Sequence, residues 1–294
     1  MRRVLLVVVV IAAIVTGARA FARAQHPVFR SETEGVIVNV SVRGGNQPVN
    51  GLTPADFELR DNGVKQAIQA FSIERLPIDV TLLLDVSRSV EGTRLDRLKS
   101  SVGETAHLLR PEDRLQLIAV QHWLHLIFPF QPGGSQPPVD ALTAAGGTAL
   151  FDGIAAALMV PVEADRRRLV IAYTDGQDTI SALSLASLRD VAGFSDSVLQ
   201  VVVPTIRIGA NRPTQTPGAP GLSDLASRTG GQLFLMNVTE QITDAFKQAI
   251  EDFRTSYVLR YVPVGVAHGG WHDLDVKVVS GKYEVRARKG YGGS

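Results

Sequence analysis

Ile78-Asp79-Val80-Thr81-Leu82-Leu83-Leu84-Asp85-Val86 is a nearly continuous apolar run, followed at once by Ser87-Arg88-Ser89. A β-branched, apolar stretch of this length fits a strand buried on both faces of a parallel sheet. The segments after it alternate. Thr93 to Leu109 places Leu95, Leu98, Val102, Ala106 and Leu109 at helical spacing. Arg114 to Val120 and Trp123 to Phe130 read as strands close enough to pair antiparallel. Leu150 to Val160 reads as a helix, Leu169 to Thr174 as a buried strand, Leu183 to Val191 as a helix and Val198 to Ile206 as a valine-rich strand. Leu222 to Ser227 is a short helix ending at Gly230, Gln232 to Met236 a strand, and Glu240 to Phe253 a helix with Ile242, Phe246 and Ile250 on one face. Strands alternating with helices at this spacing predict an α/β fold with a doubly wound, mostly parallel sheet over residues 79–254.

On either side the pattern turns to β. Val36 to Val42 admits polar residues at alternate positions. Asp56 to Arg60 alternates too, and Asp61-Asn62-Gly63 is a hairpin signal. Ala67 to Ile73 is the expected returning strand. Near the other end, Tyr257 to Val262, Leu274 to Val279 and Tyr283 to Lys289 read as strands joined by short glycine-containing turns, with Trp271 and His272 in the same region. Neither segment is long enough to be stable alone. Residues 26–78 and 255–294 are therefore expected to pack together as one small discontinuous β domain beside the α/β domain. The proline-rich stretch from Asn211 to Pro220 is expected to be a loop.

The first residues stand apart. Arg2 and Arg3 precede the apolar run Val4 to Val15, and small-x-small sites follow at Ala18-Arg19-Ala20 and Ala22-Arg23-Ala24. That order predicts a secretory leader over residues 1–24. The run falls short of the ~20 apolar residues a spanning helix needs. Four of the chain's 30 basic residues lie in this leader and none of its 29 acidic ones, so the remainder has 26 bases against 29 acids. The basic character belongs to the leader, and nothing left over suggests nucleic-acid binding. Arg166-Arg167-Arg168 is the one basic run that remains, and it reads as a solvated strand entrance. There is no cysteine, so an exported form must rely on its core and has no thiol to carry a lipid. After leader cleavage no membrane span is expected, and the protein is expected in the periplasm or outside the cell.

The chemistry gathers at strand ends. Alternate side chains of an extended chain point the same way, so Asp85, Ser87 and Ser89 can converge. The carboxyl ends of strands in open α/β sheets form the ligand crevice. Gly146-Gly147-Thr148 brings a hydroxyl to the start of a helix, and Thr174-Asp175-Gly176 closes another strand. These residues offer carboxylates and hydroxyls, with no nitrogen or sulfur. Hard oxygen donors select magnesium first, and manganese or calcium, over zinc or copper. Hydroxyl donors leave a dication more electrophilic than a cage of carboxylates, which suits it to capturing an acidic side chain.

Asp-x-Ser-x-Ser at Asp85, Ser87 and Ser89, then Gly-Gly-Thr at Thr148, then Thr-Asp-Gly at Asp175, resembles the metal-ion-dependent adhesion site of von Willebrand factor A domains. The resemblance covers roughly residues 78–254. It implies that the two serines and the threonine coordinate the metal and that the aspartates do so directly or through water. The flanks are similar to those of bacterial exported proteins of this type, through Gly51-Leu52-Thr53-Pro54-Ala55-Asp56-Phe57 and Arg288-Lys289-Gly290-Tyr291. Arg88 departs from the pattern by standing where glycine is frequent.

Each piece has a plainer reading. Ser87 and Ser89 can cap the helix near Thr93, Thr148 the helix at Leu150, and Asp175 can brace a turn. Asp152 and Asp178 read as surface or capping carboxylates, and His122 and His125 as edge residues without a third ligand. The five positions occurring in order favour the metal site. The function expected is a non-enzymatic, metal-dependent module that binds a protein partner through its Asp or Glu. One alternative is an envelope assembly subunit whose metal only stabilises the fold. A metal-dependent hydrolase is the weakest reading, because no phosphate loop, no G-x-S-x-G elbow and no histidine placed by motif beside Ser87 accompany the serines.

Overall fold

Period-2 burial organises the central sheet. In β6 (Ile78–Asp85) every residue is buried, and Leu82 and Leu84 face one core while Leu83 faces the other. The structure is a computed structural model that describes residues 35–293 except 46, 73–75, 164, 205–217 and 237–241. The expected leader and most of the expected loop from Asn211 lie outside the described residues. With β7 (Arg114–Val120), β8 (Leu124–Pro132), β9 (Arg167–Tyr173), β10 (Val198–Pro204) and β11 (Leu233–Met236), β6 forms a six-stranded sheet in the order β11-β10-β9-β6-β7-β8. All neighbours are parallel except β7 and β8, which form an antiparallel hairpin.

Helices cover both faces. On one side α1 (Thr93–Leu108) and α5 (Ile242–Arg254) bury Leu98, Val102, Phe246 and Ile250 against the sheet. On the other, α2 (Leu150–Leu158), α3 (Leu185–Phe194) and α4 (Ala219–Arg228) bury Ile154, Leu188 and Leu225. The sheet is thus doubly wound. From β6 the chain adds strands toward β7 on one side, and β9 to β11 build the other, so the strand order reverses between β6 and β9. That reversal opens the crevice in which α/β folds place ligands.

Two small antiparallel sheets flank this body. One runs β14 (Glu284–Ala287), β1 (Val36–Gly44), β12 (Tyr257–Tyr261), β5 (Ala70–Ser72), with β2 (Gln47–Pro48) beside β1. The other runs β15 (Gly290–Gly293), β13 (Gly270–Val278), β3 (Phe57–Asp61), β4 (Val64–Gln66). Strands from both ends of the chain therefore pair directly. Between them lies a third core, where Phe57, Phe71 and Tyr257 pack with ring centroids 5.2–5.6 Å apart. Asn62 and Gly63 turn the β3–β4 hairpin with φ of 46° and 80°, the positive pair an Asn-Gly turn provides. Residues 35–294 cluster as one compact unit.

Three local expectations differ. The return after Gly63 is not one strand over 67–73. It is β4, which pairs with β3, and then β5, which crosses to pair with β12 in the other sheet. The final strand divides into β14 and β15, again one for each sheet. Arg166-Arg167-Arg168 is not a solvated entrance. Arg167 and Arg168 are buried within β9. Arg166 and Arg168 close on the buried Asp79 of β6, at 2.6 and 3.5 Å. Arg167 donates to Asn39 Oδ1, Phe253 O and Ser256 Oγ and lies 4.2 Å above the Phe253 ring, joining the sheet to the β flank. The charges are buried because each has a fixed partner from a distant part of the chain.

Candidate functional site

Tyr173 is the register partner of Leu84, so Asp85 and Thr174 leave the sheet side by side at the reversal of strand order. Asp85 is fully buried. Its Oδ1 accepts from Ser87 N at 3.0 Å and takes a long contact of 3.5 Å from Thr148 Oγ1. Its Oδ2 accepts from Thr174 Oγ1 at 2.9 Å. The Ser87 and Ser89 hydroxyls meet at 3.1 Å, and Ser89 Oγ donates to Asp175 Oδ2 at 2.8 Å. Asp175 Oδ1 accepts from Gln177 N at 3.0 Å, which fixes the turn after β9. All five expected residues thus belong to one hydrogen-bonded group. Thr174, which was not among them, completes it and also accepts from Gly176 N at 3.0 Å. Its signal was the threonine of the Thr-Asp-Gly triplet itself.

The plainer readings of the hydroxyls do not hold. The N-cap of α1 is Gly92, and that of α2 is Ala149. Ser87 precedes the short 3-10 turn Arg88–Val90 without a capping bond from its side chain. Asp175 does brace its turn while facing Ser89. Asp152 accepts from Ala182 N and Leu183 N, and Asp178 from Phe151 N, so both knit the first turn of α2 to the loop after β9. His122 and His125 lie exposed on the β7–β8 hairpin.

The loop carrying Thr148 is fastened on both sides. Gly146 O accepts from Arg88 N, and Ala145 N donates to Val86 O. Thr148 N donates to Thr179 Oγ1, and Thr148 O accepts from Thr179 N. Gly146 has φ of 68°, and a Cβ there would overlap the His122 ring, so only glycine lets the loop pass.

The two carboxylates of the site share one electrostatic environment. Burial pushes the Asp85 carboxyl above the usual aspartate range. Hydrogen bonds from Ser87 and Thr174 oppose this, and the charge of Asp175 adds to it. Among the described residues, no lysine, arginine or histidine forms an ion pair with Asp85 or Asp175. Arg94 donates to the backbone oxygen of Ser89 at 3.1 Å. Beneath the site the Tyr173 hydroxyl is buried with no hydrogen-bond partner among the described residues, its pKa pushed up to about 12 by burial. Among the described residues no three of His, Asp and Glu cluster as ligands, so any cation here depends on the hydroxyls. Two carboxylates with three hydroxyls fit a hard divalent ion.

No protein-family model matches the chain. The curated "Uncharacterized protein sll0103" of Synechocystis sp. is 29% identical over 110 residues, 35% of this chain. The match spans about a quarter, 26%, of that relative's length. Among solved structures, the von Willebrand factor type A protein from Catenulispora acidiphila superposes with a TM-score of 0.51 at 12% identity, covering 84% of this chain and 75% of its own. The ArnB paralog VWA2 from Sulfolobus acidocaldarius gives 0.50 at 11% identity, covering 87% and 75%. The chain has the fold of von Willebrand factor A domains, with added antiparallel sheets beside it.

Proposed function

We propose that this chain is an exported, non-enzymatic protein-interaction module that holds a divalent cation, magnesium foremost, through Asp85, Ser87, Ser89, Thr148 and Asp175. The observation that carries this reading is the buried Asp85, gathered with a second carboxylate and the hydroxyls of Ser87, Ser89, Thr148 and Thr174, neither carboxylate being in an ion pair among the described residues. When bound, the cation supplies a hard electrophilic centre that an Asp or Glu side chain of a partner completes. The protein's own residues do the rest. Thr174 and Ser87 N orient Asp85, and the fastened loop sets the position of Thr148. The crevice between β6 and β9 leaves Ser89, exposed at its rim, open to an approaching partner. The Ser87 hydroxyl is paired with that of Ser89, and no histidine contacts it among the described residues, which favours binding over catalysis. Export rests on the leader over residues 1–24. Among the described residues no helix is long and apolar enough to cross a membrane.

Affinity capture on the immobilised chain in magnesium, in EDTA, and with Asp85→Ala tests the reading. A partner retained in magnesium and released by either change is expected. A specific partner that stays bound through both would overturn it.

A further inference from the structure

The surface beside the site carries exposed apolar side chains. The β7–β8 hairpin turns at Gln121 to Trp123, and the Trp123 side chain is 75% exposed. The sheet fixes where it lies. Val120 is the register partner of Asp85, so the turn that carries Trp123 leaves the sheet at the same end as the site. The tip is held firmly. Gln121 N donates to Trp123 O at 3.1 Å, Ala149 N donates to Gln121 O at 2.8 Å, and the Gln121 side chain donates to Thr143 O. The same hairpin packs His122 against Gly146. Trp123 is therefore coupled to the loop that presents Thr148. On the far side of that loop, Ile180 is 44% exposed, and its N donates to Thr148 O. Leu126 is 59% exposed on β8, the outermost strand on that side of the sheet.

An indole in water contributes nothing to the core, and tryptophan is enriched among the residues that dominate protein interfaces. The rim also carries charge. Arg88 is exposed between the two serines, and Arg94 is anchored at Ser89. With Asp85 and Asp175 balanced by a dication, these arginines leave the rim positive, complementary to an acidic partner. Charge alone would accept any acidic surface, whereas a fixed apolar contact at a set distance would select among them.

We propose that Trp123 is the apolar half of a docking surface for a protein segment in which an Asp or Glu stands close to a large aliphatic or aromatic side chain. The acid engages the site and the apolar side chain covers the indole. This rests on the metal-dependent reading above.

The test is a phage-displayed random-peptide library panned on the full chain in magnesium and in EDTA, using wild type, Trp123→Ala and Asp85→Ala. Matching thermal melts would verify that each variant is folded. Wild type in magnesium is expected to enrich peptides that pair an acid with a large apolar neighbour. A synthetic peptide of that consensus should bind Trp123→Ala roughly 30-fold more weakly, the loss typical of an interface hot spot, while its binding stays magnesium-dependent. Unchanged enrichment and affinity in Trp123→Ala would overturn the docking surface and leave the metal reading standing. Enrichment that ignores magnesium, survives Asp85→Ala or never arises would overturn both.

Discussion

Asp85 is buried, near a second carboxylate and in no ion pair among the described residues, and this sets the pH behaviour of the site. A proton and a dication compete for its carboxylate. Cation affinity should therefore begin to fall at a higher pH than an ordinary aspartate would give, as pH drops toward its raised pKa. The sign for stability follows from linkage. A carboxyl raised by folding contributes stability that is present below its unfolded pKa and is lost as pH rises through the folded one. In chelator, Asp85→Asn should remove that loss, so it should melt no lower than wild type at neutral pH. In magnesium only the wild type should gain. Thermal melts with and without EDTA read both. A mutant that melts well below wild type in chelator would mean that the carboxylate is a structural support. That the five candidate residues come together was legible because strand alternation, strand ends and the glycine loop before a helix place their oxygen donors at one end of the sheet. Thr174 stands in the Thr-Asp-Gly triplet, but its bond to Asp85 depends on the pairing of β6 with β9, which the local sequence does not reveal.

At the scale of elements, the amino ends of β6, β7 and β9 are held by Asp79 with Arg114, Arg166 and Arg168. Burial pushes the Asp79 carboxyl up, but hydrogen bonds and charge from Arg114 and Arg166 outweigh it and hold it below the usual range. Its stabilising contribution is therefore present above the ordinary aspartate pKa and lost as pH falls through the depressed one. Asp79→Asn leaves Arg168 buried without its counter-charge and should cost about 3–5 kcal/mol, measured by urea unfolding at neutral pH. A cost under about 1 kcal/mol would show that the cluster is no tighter than a surface pair. This cluster was illegible beforehand. A run of three arginines is ordinarily solvated, and its partner lies 87 residues away in Arg166–Asp79. The long helices and buried strands were legible because their periods are local. The splitting of the flanking strands between two sheets was not, because pairing is decided by partners distant in the chain.

Across the whole molecule, both chain ends contribute to the same sheets. β1 pairs with β12 and β14, and β13 with β3. Asp61, buried in β3, accepts from Tyr261 at 2.8 Å and Tyr291 at 2.9 Å and pairs with His272, binding the last strand to the first segment. Arg167 and the Arg43–Asp252 pair connect this flank to the α/β body. Unfolding should therefore be a single cooperative transition, with calorimetric and van't Hoff enthalpies in agreement. Two separated transitions would show that the flank folds independently. The general α/β pattern and the pairing of distant β segments were readable from alternation and from the shortness of each segment. The reversal of strand order that places Asp85 beside Thr174 needed the sheet itself. The central claim is that these oxygen donors hold a divalent cation. The most direct test is calorimetric titration of Mg²⁺, Mn²⁺ and Ca²⁺ into the chelated chain beside Asp85→Ala. Saturable one-site binding by wild type, lost in the variant, is predicted. Absence of binding by a folded wild type, or equal binding by the variant, would contradict it.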